Sequence, residues 1–241
     1  MFDVTINMPC ASISLAKLDD GGLHIRGVDK CSSWKQFKQL LYVRLRCAVE
    51  IEPLSNWRTC FTNDATMPPN NLMTGGIRHP QRQVSRLAGR AAAKRAAKVW
   101  LKDDQTANLE VSNLPSGKPQ FDFHPNLHLS ISHSGDLAAA SVSPQPHGID
   151  LELVESRPAS LMRYFFSPSE QHWIENSNNP LTALHVLWTR KEAVSKLLGK
   201  GGQLGFRNLP VLDEDASWKF LSCTIGDYVF SLAHFLGEGV K

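Results

Sequence analysis

Two segments in the second half of the chain restrict its folding more than any others. His147-Gly148-Ile149-Asp150-Leu151-Glu152 alternates apolar Ile149, Leu151 and Leu153 with Asp150 and Glu152. A side-chain period of two makes this a strand that aims both carboxylates at one face. Trp188-Thr189-Arg190-Lys191-Glu192-Ala193-Val194-Ser195-Lys196 has the period of a helix instead. Val186, Ala193 and Leu197 fall on one side, and Trp188, Glu192 and Lys196 recur every fourth residue on another. Brought together, the two segments set three carboxylates and an ammonium around one point, a donor set that suits a magnesium-bound phosphate. Taken singly, Asp-x-Glu on a strand reads as solvated surface, and a Glu/Lys pair at i, i+4 as a helix contact worth ~0.2–0.5 kcal/mol. The weight lies in the pair.

The rest of the chain supplies a framework. Pro80 opens a helix at its first position, running to about Lys102, with Val84, Leu87, Ala88, Ala91 and Ala92 as a small-residue packing face. Arg82, Arg86, Arg90, Lys94 and Lys98 form a basic stripe at i, i+4 spacing, which by itself is a solvated face. Ser116-Gly117-Lys118-Pro119 is a turn between short strands. Leu127, Leu129 and Ile131 alternate with His128, Ser130 and Ser132 in a strand ending at Ser132-His133-Ser134-Gly135, and residues 137–142 return. Pro144-Gln145-Pro146 marks a seam, giving halves 1–145 and 146–241. Beyond it, Ser167-Pro168-Ser169-Glu170 has capping-box spacing, Asn179-Pro180 starts the long helix and Gly199 ends it. Two strands meet across Gly226-Asp227. In residues 1–75 a strand through Ile13 and Leu15, a turn at Asp20-Gly21-Gly22, a helix through Trp34, Phe37 and Leu41, and a half-buried strand over 42–52 are expected.

Five elements in this order resemble the 4′-phosphopantetheinyl transferase family: Arg86-Leu87-Ala88-Gly89-Arg90, Gly117-Lys118-Pro119, Ile131-Ser132-His133-Ser134, Gly148-Ile149-Asp150-Leu151-Glu152, and Trp188-Thr189-x-Lys191-Glu192-Ala193-x-x-Lys196. The resemblance covers roughly residues 78–202, about half the chain, and residues 1–75 lie outside it. The type resembled is the surfactin/siderophore one. It implies an α+β fold of two pseudo-symmetric halves with antiparallel sheets and a site in the cleft between them, working as a monomer. The implied reaction is transfer of the 4′-phosphopantetheine arm of coenzyme A to a serine of an apo acyl or peptidyl carrier protein, releasing 3′,5′-adenosine diphosphate. By the same resemblance Asp150, Glu152 and Glu192 hold Mg2+, Glu192 is the base towards the carrier serine, directly or through a water, and Lys196 offsets charge on the pyrophosphate. Arg82, with Arg78 as the alternative, meets the 3′-phosphate, and Lys118, Ser132 and His133 touch the phosphates. Lys191 either faces the phosphates or is solvated and stands outside this set, while Trp188 reads as core and His124, His128, His147 and His185 as structural or exposed.

Two rival functions fit part of the pattern: a metal-dependent hydrolase of the coenzyme A pyrophosphate, and a catalytically silent module that binds carrier proteins. Intact Asp150, Glu152, Glu192 and Lys196 weigh against the silent module. A formal charge of +3 suits an anionic ligand or acidic partner and is too small to argue nucleic acid. No run of ~18 apolar residues is present, so no membrane span is expected. Residues 1–4 begin neither a basic segment nor a long apolar one, and the five cysteines are scattered without a Cys-x-x-Cys spacing. A cytoplasmic, zinc-free protein with reduced thiols is the expectation.

Overall fold

In the computed structural model, residues 47–55, 81–102, 109–122, 124–200, 205–212, 217–224 and 226–235 are described with their side chains, and 3–8, 11–17, 23–26, Pro80 and Ile225 by their backbone. The elements run β1 (Asp3–Met8), β2 (Ala11–Lys17), β3 (Leu23–Arg26), β4 (Ala48–Pro53), α1 (Pro80–Leu101), β5 (Val111–Asn113), β6 (Pro119–Phe121), β7 (His128–Ser134), β8 (Leu137–Ser143) and β9 (His147–Leu153). They continue with α2 (Ala159–Phe165), α3 (Pro168–Glu175), α4 (Pro180–Leu197), a 3-10 turn (Phe206–Asn208), β10 (Trp218–Ile225) and β11 (Tyr228–Phe235).

Of three antiparallel three-stranded sheets, β1-β2-β3, β4-β8-β7 and β10-β11-β9, the last two carry the fold. Their wiring is the same. In each, a strand (β4, β9) leads through a long helix (α1, α4) to a hairpin (β7–β8, β10–β11), and the leading strand pairs with the hairpin's second strand. Both hairpins turn on two residues, with Gly135 at φ 53 and Gly226 at φ 59, a region open to glycine at no steric cost. The fold is therefore α+β with two similar halves, a duplication invisible as sequence repetition.

Each helix covers its own sheet. Ala92, Ala93, Ala96 and Ala97 of α1 are fully buried against Leu129, Ala140 and Val142. Alanine lets the helix approach closely, and at Gly89 an added Cβ would stand 2.7 Å from Ile131 Cγ2. Between the sheets, Cys47, Val49, Ala139, Ile149, Leu151, Cys223, Phe230 and Leu232 form a core fed from both halves; each large apolar side chain there contributes roughly 1.5–3 kcal/mol by leaving water. β4 thus departs from the half-buried expectation. Cys47 and Val49 face the inter-sheet core, and Ala48 faces α1. Glu52, also buried, pairs with Arg95. Only the end of the expected 42–52 strand is described, and the helix through Trp34 and Leu41 lies outside the described residues.

The ends of α3 and α4 follow their residues. Ser167 Oγ accepts from Glu170 N–H and the Glu170 carboxylate accepts from Ser167 N–H, a complete capping box with Pro168 behind it. Asn179 accepts from Thr182 N–H at 3.1 Å to start α4. Gly199, at φ 66, ends it: Gly199 N–H donates to Lys196 O and Lys200 N–H to Ser195 O, both at 3.1 Å. That pair of hydrogen bonds is the Schellman closure, and it fixes the turn carrying Lys196.

Candidate active site

β9 buries Ile149 and Leu151 in the core, so the strand's period turns Asp150 and Glu152 the other way. α4 lies directly across β9 because Gly148 has no side chain: a Cβ there would land on the Ala193 carbonyl oxygen and 2.6 Å from Leu197 N. This close crossing places Lys196 on the strand's acidic face, where its Nζ donates to Asp150 Oδ1 at 2.7 Å. Ser132 of β7 donates to the same oxygen at 2.6 Å. Asp150 Oδ2 is buried without a hydrogen-bond partner.

Glu192, one turn before Lys196, joins them electrostatically. Burial pushes its carboxyl up to about 7, repulsion from Asp150 adds to the rise, Lys196 opposes it and Glu152 reinforces it. Burial, then Asp150, also raises Glu152, against donation from Ser134 and the charges of Arg157 and Lys196. Glu152 and Glu192 are thus held towards their protonated forms beside the bare buried oxygen of Asp150, and the cluster is short of positive charge. Among the described residues no three His, Cys, Asp or Glu side chains converge into a ready-made metal cage.

The wall facing this cluster comes from the first half. His133 follows Ser132, with its imidazole pKa lowered by burial and then by Lys196, against Asp150. Across the seam a cleft of about 310 Å3 is lined by Ser116, Lys118, Pro119, Ile131, Lys196 and Gly199. Lys118 reaches the C-terminal end of α4, its Nζ 3.5 Å from Leu197 O. Two lysines from opposite halves make this an anion-accepting cleft. A larger groove of about 1060 Å3 runs between α3, the start of α4 and the β10–β11 turn. It holds none of the clustered carboxylates or lysines.

Asp150, Glu152, Glu192, Lys196, Ser132 and His133 are thus gathered at one place, and Lys118 borders it. Arg82 is not gathered: it is exposed in the first turn of α1 and does not line the cleft. Arg78 lies outside the described residues. Ser132 donates its proton to Asp150 and its oxygen accepts Leu151 N–H at 3.2 Å, so that here it orients a carboxylate. Lys191 corrects one expectation, being neither solvated nor turned to the cleft. It is fully buried, donating to Glu170 Oε1 at 2.8 Å, Phe206 O at 2.6 Å and Leu209 O at 2.8 Å. His147 and His185 are structural as expected, His147 bridging Ser141 Oγ and Gln145 O and His185 donating to Leu181 O. Trp188 stacks edge-on against Phe165.

Sequence reading missed Ser134 and Arg157, which both donate to Glu152 Oε2, at 2.7 and 3.2 Å. The signal for Ser134 was present, since a period of two carries Ser130 and Ser132 on to it.

An α+β protein of two matching sheet-and-helix halves, with an acidic cluster and paired lysines at their seam, is the class these features define. A family model described as the 4′-phosphopantetheinyl transferase superfamily matches residues 146–236. It is similar to the 4′-phosphopantetheinyl transferase gsp of Aneurinibacillus migulanus, 31% identical over 39% of this chain and 44% of that protein. A 4′-phosphopantetheinyl transferase of Bacillus subtilis is 32% identical over 41% of this chain and 45% of its own length. The 4′-phosphopantetheinyl transferase AcpT of Salmonella typhi is 33% identical over 49% and 60% respectively. The chain spans less than half the length of the first two relatives. Among the described residues no helix is long and apolar enough to cross a membrane.

Proposed function

We propose that this protein transfers the 4′-phosphopantetheine arm of coenzyme A to a serine of an apo carrier protein, with residues 1–145 and 146–241 as the two walls of one cleft. The observation that carries the reading is the junction of Asp150, Glu192 and Lys196 at the α4–β9 crossing, bordered by Lys118 from the opposite half. In the reaction the carrier Ser Oγ bonds to the β-phosphorus of coenzyme A, the bridging P–O bond breaks, and 3′,5′-ADP leaves. Lys118, Lys196 and His133 bind the phosphate oxygens and offset their charge as the bridging bond breaks, with Arg82 at the 3′-phosphate. Glu192, whose pKa of about 7 suits a base near neutrality, takes the serine proton directly or through a water. Asp150, Glu152 and Glu192 would hold a Mg2+ ion, which when bound supplies positive charge to the pyrophosphate. Asp150 Oδ2, buried and without a hydrogen-bond partner, is the oxygen best suited to it. The protein is assigned to the cytoplasm as a monomer, with coenzyme A and a carrier protein of fatty-acid, polyketide or peptide synthesis as partners and neither nucleic acid nor membrane.

The test is release of 3′,5′-ADP from coenzyme A and Mg2+, followed chromatographically with and without an apo carrier protein. Release that needs the carrier supports transfer. Release at the same rate without it identifies a hydrolase, and no release despite carrier binding identifies a silent module.

A further inference from the structure

β7 and β9 belong to different sheets, yet they are joined rung by rung at the seam. Ser130, Ser132 and Ser134 share one face of β7 by the strand period. Their hydroxyl oxygens accept Ile149, Leu151 and Leu153 N–H at 3.0, 3.2 and 3.1 Å, each pair separated by 19 residues. The constant offset means the two strands run parallel, with serine hydroxyls doing what backbone carbonyls of a neighbouring strand would do.

Two rungs do more than join strands. Ser132 turns its proton onto Asp150 Oδ1 and Ser134 onto Glu152 Oε2. A cation falls on the same oxygen each time, Lys196 on Asp150 Oδ1 at 2.7 Å and Arg157 on Glu152 Oε2 at 3.2 Å. Arg157 is itself braced by Glu155 Oε1 at 3.2 Å. Both carboxylates are therefore anchored through one oxygen by a hydroxyl and a cation. A strand ladder alone needs no second contact from the hydroxyl. Reactive carboxylates do need their free oxygen fixed to a fraction of an ångström, which outer contacts of this kind provide.

We propose that Ser134, together with Arg157, is a positioning residue for Glu152: the pair fixes Oε2 so that the other oxygen is held ready for the divalent cation and the phosphates, as Ser132 and Lys196 do for Asp150. This rests on the metal-and-phosphate reading of the site given above. It extends that reading across the seam, because the orientation of a ligand on β9 is then set by a residue of the other half.

The experiment measures Mn2+ binding by electron paramagnetic resonance in the presence of coenzyme A, with no turnover required. Ser134→Ala is expected to weaken Mn2+ binding about 10- to 100-fold, the usual effect of losing an outer partner of a metal ligand. Ser134→Cys, nearly the same shape with a weak donor, is expected to weaken it less than Ala with an unchanged melting temperature, and it remains informative if the Ala variant fails to fold. In a Glu152→Gln background the Ser134→Cys change is expected to add nothing further, since Ser134 acts through that carboxylate. Wild-type Mn2+ affinity in both Ser134 variants, or losses that add independently to those of Glu152→Gln, overturns the positioning role and leaves the transferase reading standing. Absence of Mn2+ binding by the wild-type protein with coenzyme A overturns both.

Discussion

The ionisation of Glu192 opposes folding, and replacing the residue with glutamine makes that cost measurable. Its carboxyl titrates at about 7 instead of the usual 4.5 because burial and two neighbouring carboxylates oppose its ionisation. At pH 8 without metal, forcing the charge costs the native state about 3 kcal/mol, and solvent on the partly exposed side of the residue reduces this towards about 2 kcal/mol. The direction follows from proton uptake: the native carboxyl keeps its proton to higher pH than the unfolded one. The group's contribution is therefore full below pH 4.5 and is lost as pH rises through about 7. Glu192→Gln has no such loss. Thermal unfolding in EDTA is expected to show the variant and the wild type close together at pH 5. At pH 8 the variant should melt higher by about 5–10 °C. Transfer by the variant should be abolished while coenzyme A still binds. Equal melting at pH 8, or a variant that melts lower there than the wild type, contradicts this account of the cluster.

Gly148→Ala should cost about 2 kcal/mol or more, because its Cβ meets backbone atoms of Ala193 and Leu197, which cannot turn aside as a side chain can. Urea unfolding measures the loss, and transfer should fall with it as α4 lifts Lys196 from Asp150. Lys191→Met should destabilise by roughly 3–5 kcal/mol, since it strands buried Glu170 without its partner. A lysine that served the phosphates would instead lose coenzyme A affinity at unchanged stability, and a denaturation curve beside a binding titration separates the two.

The parts of the site legible in sequence were those carried by periodicity. Asp150, Glu152, Glu192 and Lys196 could be grouped because strand and helix periods fix which side chains share a face, and the caps at Ser167, Asn179 and Gly199 have local causes. What escaped depends on packing between distant segments. The matching topology of the two halves leaves no sequence repeat, because one core helix is alanine-rich and the other is built from larger side chains. Lys191 is polar in sequence and fully buried in the fold, a result of carbonyls at Phe206 and Leu209 that only tertiary structure brings to it. β4 looked half-buried because alternation shows one covered face, whereas α1 covers the other through Ala48. Ser134 meets Glu152 across the seam and Arg157 meets it from the loop after β9, contacts that the strand period hints at only for Ser134.

One cleft, walled by both halves, is proposed to move a phosphopantetheine arm from coenzyme A to a carrier serine. Intact-protein mass spectrometry of an apo carrier protein, incubated with this protein, coenzyme A and Mg2+, tests it most directly. A single added phosphopantetheine mass on the carrier is expected, lost when the carrier serine is replaced by alanine and absent with the Glu192→Gln variant. An unmodified carrier, across carriers from fatty-acid, polyketide and peptide synthases, contradicts it.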